Sequence, residues 1–300
     1  MKIYAPAHRY FGQAGKTGKD NMEIKKTLKV AGIQLSSSNS LDKNLHKAGG
    51  LIELAADQGA RIITLPQLFN TQWFPYGIDN RNFSLAEKED GATVTYLRGL
   101  AASKSAVIIA PIFEEDNGSY FSTAFVIGCD GGIIGKYRKV HVPQIPLWEE
   151  RAYFKPGDLG FPVFKTPFAA IGVQICWDIF FPEGFRILAL KGAQVVLAPT
   201  ASAYEHSHKK WERAIRAAAH ANGIYIMRVN RVGVEDKQEF YGKSFCAGPD
   251  GEFVEKPSGP SEGVVLADID LTSIGTVRNE WVFLKDRRPE VYAEIVESKG

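Results

Sequence analysis

The 300-residue chain contains two stretches that resemble each other, and this internal similarity constrains its fold more than any other feature. Gly59–Pro66 resembles Gly192–Pro199, and Gly32–Leu35 resembles Gly172–Ile175. The first two are apolar runs bounded by glycine and proline, which is typical of buried strands. The chain is therefore expected to consist of two related halves.

A third pair of similar segments, Phe125–Ile133 and Phe245–Phe253, carries a hairpin signal. Each places Asp-Gly between two strand-like runs. The offsets between the three pairs are 133, 140 and 120 residues. Because this spacing drifts, the repeat is architectural and does not indicate a solenoid.

Each half predicts a strand, a helix, a strand, a helix and a strand, followed by a hairpin. We expect strands near 29–35, 61–65, 106–112, 169–175, 194–198 and 224–229, and helices near 42–58, 91–104, 182–191 and 207–221. Continuous apolar strands that alternate with helices imply sheets whose faces the helices cover. Two such halves can pack sheet against sheet. The predicted fold is an α/β, four-layer αββα sandwich with an internal pseudo-two-fold repeat.

A chain of this length can bury about 75% of its unfolded surface, so its core needs no disulfides or metals. The three cysteines, Cys129, Cys176 and Cys246, are sparse and odd in number, which favours a reduced, cytoplasmic setting. No apolar run approaches the roughly 18 residues of a membrane helix, and Met1–Lys29 lacks the apolar region of a secretory signal. We expect no membrane partner.

The formal net charge is +2, but the charges are unevenly distributed. Residues 1–29 hold seven basic and two acidic residues, whereas the remainder holds 29 basic and 32 acidic residues. We predict a basic, flexible extension over residues 1–27 and one domain over 28–300. A mildly acidic body does not match the strongly basic surface of a nucleic-acid-binding domain.

Sites in α/β sheets form beyond the carboxyl ends of the strands, and three positions there differ between the halves. Cys176 ends a strand where the first half has Ser36. Gln67 follows a strand where the second half has Thr200, and Lys139 follows the first hairpin. Breaks in the symmetry are where chemistry is expected.

These residues suit acyl transfer. A strand-to-helix turn at Cys176 would expose a nucleophile and offer the N–H of Trp177 to an oxyanion. Lys139 beside the thiol would stabilise the same oxyanion, and a carboxylate from the pair Glu149 and Glu150 would position it. Taken singly, each has a simpler interpretation, because lone cysteines are commonly buried and charged runs are commonly solvated.

Together these motifs resemble the nitrilase superfamily of carbon–nitrogen hydrolases from about Leu28 to Ile295. The segments that carry the resemblance are Gly172–Glu183 around Cys176, Tyr137–Pro143 around Lys139, Glu150–Asp158 and Asp286–Tyr292. The resemblance implies an αββα sandwich, a homodimer or larger homo-oligomer, and a Glu-Lys-Cys triad with Cys176 as nucleophile and Glu150 as a second glutamate. It implies no metal or organic cofactor. The nearest metal-like spacing, His206 and His208, is interpreted as a loop or helix start.

One position departs from the family pattern. The family places its catalytic glutamate in Leu-Pro-Glu-Leu-Phe, whereas this chain has Gln67 there, and the next acidic residue is Asp79. An amide cannot accept the thiol proton, although losing a negative charge beside Lys139 would make Cys176 more thiolate-like. Three explanations stay open: an engineered trapping mutant, a natural pseudo-enzyme, or a different proton route.

Two loops, Phe69–Tyr76 and Thr200–Tyr204, are similar to those of the N-carbamoylputrescine, β-ureidopropionate and aliphatic-amide branches of the family. We expect Trp73, Tyr76, Thr200 and Trp177 to bind substrate, with loop packing as the alternative for the aromatics. The predicted function is hydrolysis of a linear N-carbamoyl amine or primary amide through a Cys176 thioester, with turnover reduced by Gln67. The alternatives are a metabolite-binding pseudo-enzyme, a nitrilase and an amine acyltransferase.

Overall fold

The computed structural model describes residues 27–297, so the expected extension over residues 1–27 lies outside it except for Thr27. The strands are β1 (Thr27–Gln34), β2 (Ile62–Thr64), β3 (Val107–Asp116), β4 (Ser119–Ile127), β5 (Ile133–Arg138), β6 (Phe164–Lys165), β7 (Ala170–Val173), β8 (Val195–Pro199), β9 (Tyr225–Val229), β10 (Val232–Glu235), β11 (Gln238–Tyr241), β12 (Phe245–Ala247) and β13 (Gly263–Asp270). The α-helices are α1 (Leu41–Asp57), α2 (Ala92–Lys104), α3 (Pro182–Leu190), α4 (His208–Asn222) and α5 (Thr272–Glu280).

The strands form two main sheets with the same internal plan. One has six strands in the order β13-β1-β2-β3-β4-β5, and the other has five in the order β12-β9-β8-β7-β6. In the first, β1, β2 and β3 are parallel, and in the second β7, β8 and β9 are parallel. Antiparallel strands flank both parallel centres. The strands β10 and β11 form a separate hairpin.

Alternation along β1 shows how the layers pack. Val30 joins the apolar core between the sheets, whereas Ala31 and Ile33 pack in the cluster that also contains residues of α1 and α2. The helices α3 and α4 cover the second sheet through side chains such as Phe185 and Ile215. The predicted αββα sandwich is therefore confirmed.

The two Asp-Gly turns repeat each other in detail. The N–H of Gly131 donates to the Gly128 carbonyl at 2.8 Å, and the N–H of Gly251 donates to the Gly248 carbonyl at 2.9 Å. A helix arginine then caps each turn, because Arg98 donates to the Gly131 carbonyl and Arg216 to the Gly251 carbonyl. These matching contacts show that the sequence repeat reflects a structural one.

The predicted helices and central strands begin and end within a few residues of the observed ones. The β10–β11 hairpin, β13 and α5 were not predicted from the sequence. After the second Asp-Gly turn, the expected return strand is reduced to a single bridge between Ala247 and Phe253. None of the described helices combines the length and the apolar character needed to cross a bilayer.

Candidate active site

Cys176 lies in the sharp turn between β7 and α3. It opens a short 3-10 helix, Cys176–Phe180, and its φ of +50° is in the left-handed region that residues other than glycine seldom adopt. The residue is buried, with 3% of its surface exposed. This is the strand-to-helix geometry that the sequence predicted for a nucleophile.

A single carboxylate ties this turn to the segment that carries Lys139. Asp178 accepts hydrogen bonds from the Tyr137 hydroxyl at 2.8 Å and from the Ile175 N–H at 3.0 Å. Its other oxygen accepts the His141 N–H at 2.8 Å. Residues on both sides of Lys139 are therefore anchored next to Cys176.

Lys139 and Glu150 form a fully buried ion pair. Lys139 Nζ lies 2.5 Å from Glu150 Oε2, and neither side chain is exposed. The Lys139 backbone N–H also donates to the Ser122 carbonyl at 2.9 Å. Burial raises the pKa of Glu150, and the Lys139 charge and the hydrogen bond from Gln67 oppose that rise. Of the two adjacent glutamates, Glu150 is buried at the site and Glu149 is partly exposed.

Gln67 completes this group from the loop after β2. It is fully buried, and its Nε2 donates to Glu150 Oε2 at 3.2 Å and to Ser122 Oγ at 3.5 Å. Neither Gln67 Oε1 nor Glu150 Oε1 has a hydrogen-bond partner within residues 27–297. The amide of Gln67 thus donates a hydrogen bond to the Glu150 carboxylate, and the Gln67 position itself supplies no carboxylate.

The electrostatics favour a neutral thiol. Burial raises the pKa of Cys176 to about 11; the Lys139 charge acts in the opposite direction and the Glu150 charge in the same direction. Glu150 supplies a negative charge beside Lys139, and the expected effect of Gln67 on the thiolate character of Cys176 stays a prediction. At pH 7 the thiol needs a proton acceptor before it can act as a nucleophile.

A cavity of about 320 Å³ contains Cys176 in its lining. Its wall is largely aromatic, and the rings that contribute are Trp148, Trp177, Phe180, Tyr204 and Trp211. Trp177 therefore stands where the sequence predicted. The buried hydroxyl of Ser202, also in the lining, has no hydrogen-bond partner among the described residues. The volume and the apolar lining with few polar groups are those of a small-molecule site.

Three expected substrate-binding residues lie outside this lining. Trp73 is fully buried and packs against Trp148, with ring centroids 6.3 Å apart. Tyr76 lines a separate cavity of about 540 Å³. The Thr200 hydroxyl donates to Asn230 Oδ1 at 2.9 Å, inside the protein. Their substrate-binding role stays a prediction, and the packing of Trp73 matches the alternative of loop packing, because large aromatics fill cores as readily as they line pockets.

The sequence reading missed a second buried ion pair, Arg231 with Glu235, at 2.5 Å. Arg231 donates to the backbone carbonyls of Gln67 and Leu68, both at 2.8 Å, and Glu235 accepts the Trp73 N–H at 2.9 Å. The pair fixes the loop that presents Gln67, in which Leu68 has a φ of +54°. Its only sequence signal is a charged pair four residues apart, which is common on protein surfaces.

Residues 27–297 contain no group of three or more His, Cys, Asp and Glu side chains arranged to hold a metal ion. His206 stacks on Tyr204 with ring centroids 5.6 Å apart. His208 Nδ1 contacts the Glu205 carbonyl at 2.8 Å. His206 thus lies in the short 3-10 helix Glu205–Ser207 that precedes α4, and His208 is the first residue of α4.

Comparison with known proteins identifies the class to which this fold and site correspond. The model of the carbon-nitrogen hydrolase family matches residues 29–279, and the chain belongs to that family. One relative is the N-carbamoylputrescine amidase of Solanum lycopersicum, 36% identical over 293 residues that cover 93% of this chain and 98% of the relative.

Solved structures agree with this assignment. The carbon-nitrogen hydrolase from Helicobacter pylori G27 matches with a TM-score of 0.87 and 32% identity, over 91% of this chain and 99% of that one. A Glu-to-Gln mutant of the amidase from Nesterenkonia sp. AN1 matches with a TM-score of 0.76 and 26% identity, over 89% and 96%. In that mutant the acetamide moiety of fluoroacetamide is attached covalently to the active-site cysteine.

Proposed function

We propose that this chain is a cysteine-dependent hydrolase of linear N-carbamoyl amines or primary amides, and that Gln67 slows its turnover. One observation carries the proposal: Cys176, the Lys139–Glu150 pair and Gln67 converge at one buried site next to an aromatic cavity. The name of the tomato relative supports a carbamoyl substrate.

In the first half-reaction, the sulfur of Cys176 forms a bond to the carbonyl carbon of the substrate. Lys139 Nζ and the backbone N–H of Trp177 hold the negative charge that develops on the oxygen. Collapse of this intermediate breaks the carbon–nitrogen bond, and the protonated amine or ammonia departs. Water then attacks the thioester, releases the acid product and restores the thiol.

The proton of the thiol is the difficulty for this chain. With a thiol pKa of about 11, attack requires a group that removes the proton, and the amide of Gln67 cannot do so. Glu150 is the one carboxylate hydrogen-bonded to both Lys139 and Gln67, and its Oε1 has no partner within residues 27–297. It is the candidate for a residual proton route.

Loss of a general base typically costs about 10²- to 10⁴-fold in rate. Because the base serves both half-reactions, we expect slow acylation followed by slower hydrolysis, so that an acyl group accumulates on Cys176. In the Nesterenkonia Glu-to-Gln mutant, the cysteine still bonds to the acetamide moiety of fluoroacetamide. That adduct is an alkyl group and not an acyl group, so it supports a cysteine that stays nucleophilic beside such a substitution.

The test compares the chain with its Gln67→Glu and Cys176→Ala variants on N-carbamoyl amines, ω-amides and nitriles. Ammonia release reports turnover, and intact mass reports the adduct. We expect Gln67→Glu to release ammonia about 10²- to 10⁴-fold faster from a carbamoyl or amide substrate, and the unchanged chain to carry an adduct that Cys176→Ala lacks.

The same experiment distinguishes the hydrolase from a metabolite-binding pseudo-enzyme, the alternative that Gln67 and the neutral thiol favour. Saturable binding that survives Cys176→Ala, with no adduct and no gain from Gln67→Glu, would establish the binder and overturn the hydrolase. Faster turnover of nitriles than of amides would instead place the chain with the nitrilases.

A further inference from the structure

The cavity beside Cys176 has a marked charge asymmetry. Lys210 and His206 contribute to its lining, and no aspartate or glutamate among the described residues does so. Lys210 forms no ion pair within residues 27–297, whereas its neighbour Lys209 pairs with Glu212 at 3.1 Å. A narrow apolar cavity with charge of one sign concentrates the resulting potential.

The two carboxylates of the segment from Tyr204 to Glu212, Glu205 and Glu212, are engaged in ion pairs outside the lining. Glu205 contacts Lys243 and lies 3.7 Å from His208. Glu212 pairs with Lys209 and Arg216, on the other side of α4 from the cavity lining. Lys210 is therefore the charged residue of the cavity lining that has no ion-pair partner among the described residues.

A second cation lies behind the cavity wall. Arg228 is buried, and its guanidinium carbon lies 5.6 Å from the ring centre of Trp211, which lines the cavity. Its hydrogen bonds go to the Gly242 and Lys243 carbonyls and the Tyr241 hydroxyl, and no ion pair joins it to a carboxylate in the described part of the chain. Its charge is therefore not cancelled by a direct partner.

We propose that the end of the substrate remote from the scissile bond is a carboxylate, which Lys210 binds at the mouth of the cavity. This inference rests on the proposed function and narrows its substrate class to ureido acids and ω-amido acids. An ammonium at the same end would face Lys210 with no acidic side chain in the lining to compensate for the repulsion.

The test uses three matched ureas that differ only in the terminal group: N-carbamoyl-β-alanine, N-propylurea and N-(2-aminoethyl)urea. Each is also used in a version with four methylene groups, so that chain length does not decide the result. The protein is the full chain with Gln67→Glu, alone and combined with Lys210→Glu. Lys209→Glu is the control, because it makes the same change in net charge outside the cavity lining.

We expect the carboxylate to be preferred over the ammonium, and Lys210→Glu to lower kcat/KM for the carboxylate about tenfold, mainly through KM. The same variant should raise kcat/KM for the ammonium compound and leave the neutral urea within about twofold, whereas Lys209→Glu should change none of them by more than about twofold. Added salt should narrow the differences.

Hydrolysis of all three ureas with the ammonium preferred, or an equal effect of Lys210→Glu on all three, overturns the carboxylate inference and leaves the proposed function standing. Hydrolysis of none of them, with no adduct on Cys176 and no ammonia released from the ω-amides of the first experiment, overturns the proposed function and this inference with it.

Discussion

Two buried ion pairs hold Gln67 between them, and they differ in how fully their hydrogen-bonding groups are satisfied. In Arg231–Glu235, both carboxylate oxygens accept a backbone N–H, from Ser37 and Trp73, in addition to the guanidinium. In Lys139–Glu150, one carboxylate oxygen has no partner within residues 27–297. A pair whose carboxylate oxygens all have hydrogen-bond partners stabilises a loop. A pair with one unpartnered carboxylate oxygen still has an acceptor that a substrate or a proton can use.

The cations of the two pairs also differ in kind. Lysine carries a compact charge on a flexible stem, whereas arginine presents five donors in a rigid plane. Arg231 uses its fixed planar geometry to bind three carbonyls of one loop, and Lys139 presents a single charged atom. The first three predictions below distinguish Arg231–Glu235 as a structural pair from Lys139–Glu150 as a pair at the reactive site, and a fourth concerns Thr200.

The largest effect is expected from breaking the Arg231–Glu235 pair. Arg231→Met or Glu235→Gln should lower the free energy of unfolding by about 3–5 kcal/mol, because each leaves a buried group without its partner. Urea denaturation measures the loss. The double variant Arg231→Met with Glu235→Leu should recover part of it, and a loss below about 1 kcal/mol in the single variants would show that the pair does not hold the loop.

Glu150→Gln should cost less, about 1–3 kcal/mol, because the amide oxygen of the new side chain can still accept the hydrogen bond from Lys139. The cost should shrink as pH rises. Burial raises the pKa of Glu150, so the folded state holds this proton above the ordinary carboxyl range, and the stability it contributes at low pH is lost as pH increases. Unfolding at pH 4.5 and pH 7.5 checks the sign; a cost that grows with pH would contradict it.

Alkylation of Cys176 by iodoacetamide should accelerate about tenfold per pH unit from pH 7 to 10, and level off near the thiol pKa of about 11. Glu150→Gln should increase the rate at pH 8, because the Glu150 charge raises that pKa, and Glu235→Gln should not. Intact mass follows the reaction, with Cys176→Ser as the background. A rate that is constant between pH 7 and 9 would mean that the thiolate is already formed.

The smallest effect is expected at Thr200. Thr200→Val removes a hydroxyl that lies within hydrogen-bond distance of the Val229 carbonyl and of Asn230 Oδ1, and it should cost about 1 kcal/mol of unfolding free energy. It should leave the KM of the Gln67→Glu enzyme unchanged. A raised KM at unaltered stability would place Thr200 in the substrate-binding set.

The sequence predicted the architecture well because the signals for strands and helices are local. Apolar runs between glycine and proline marked β2 and β8, and they need no knowledge of distant partners. The strand β13 was missed because its eight-residue run pairs with β1 more than 200 residues away. Nothing nearby in the sequence marks it as part of the first sheet.

The site was predictable only in part for the same reason. Motifs placed Cys176, Lys139, Glu150 and Gln67 together, although their chemical roles stay predictions. The contacts of Arg231 with the Gln67 loop span more than 160 residues, and no spacing reveals them. The local sequence around Trp73 also cannot say whether its ring packs in the core or lines a cavity, so its predicted substrate contact stays a prediction.

The pairing of β13 with β1 joins the second repeat to the sheet of the first. The second repeat donates the strand that completes the sheet of the first, along Thr27–Gln34 and Gly263–Asp270. A chain divided in the exposed segment near Gly160 would leave Lys139 and Glu150 on one fragment and Cys176 on the other. The hydrogen-bonded pairing of β1 with β13 would then join the two fragments. Reaction of Cys176 with substrate would show that the two separate polypeptides had associated.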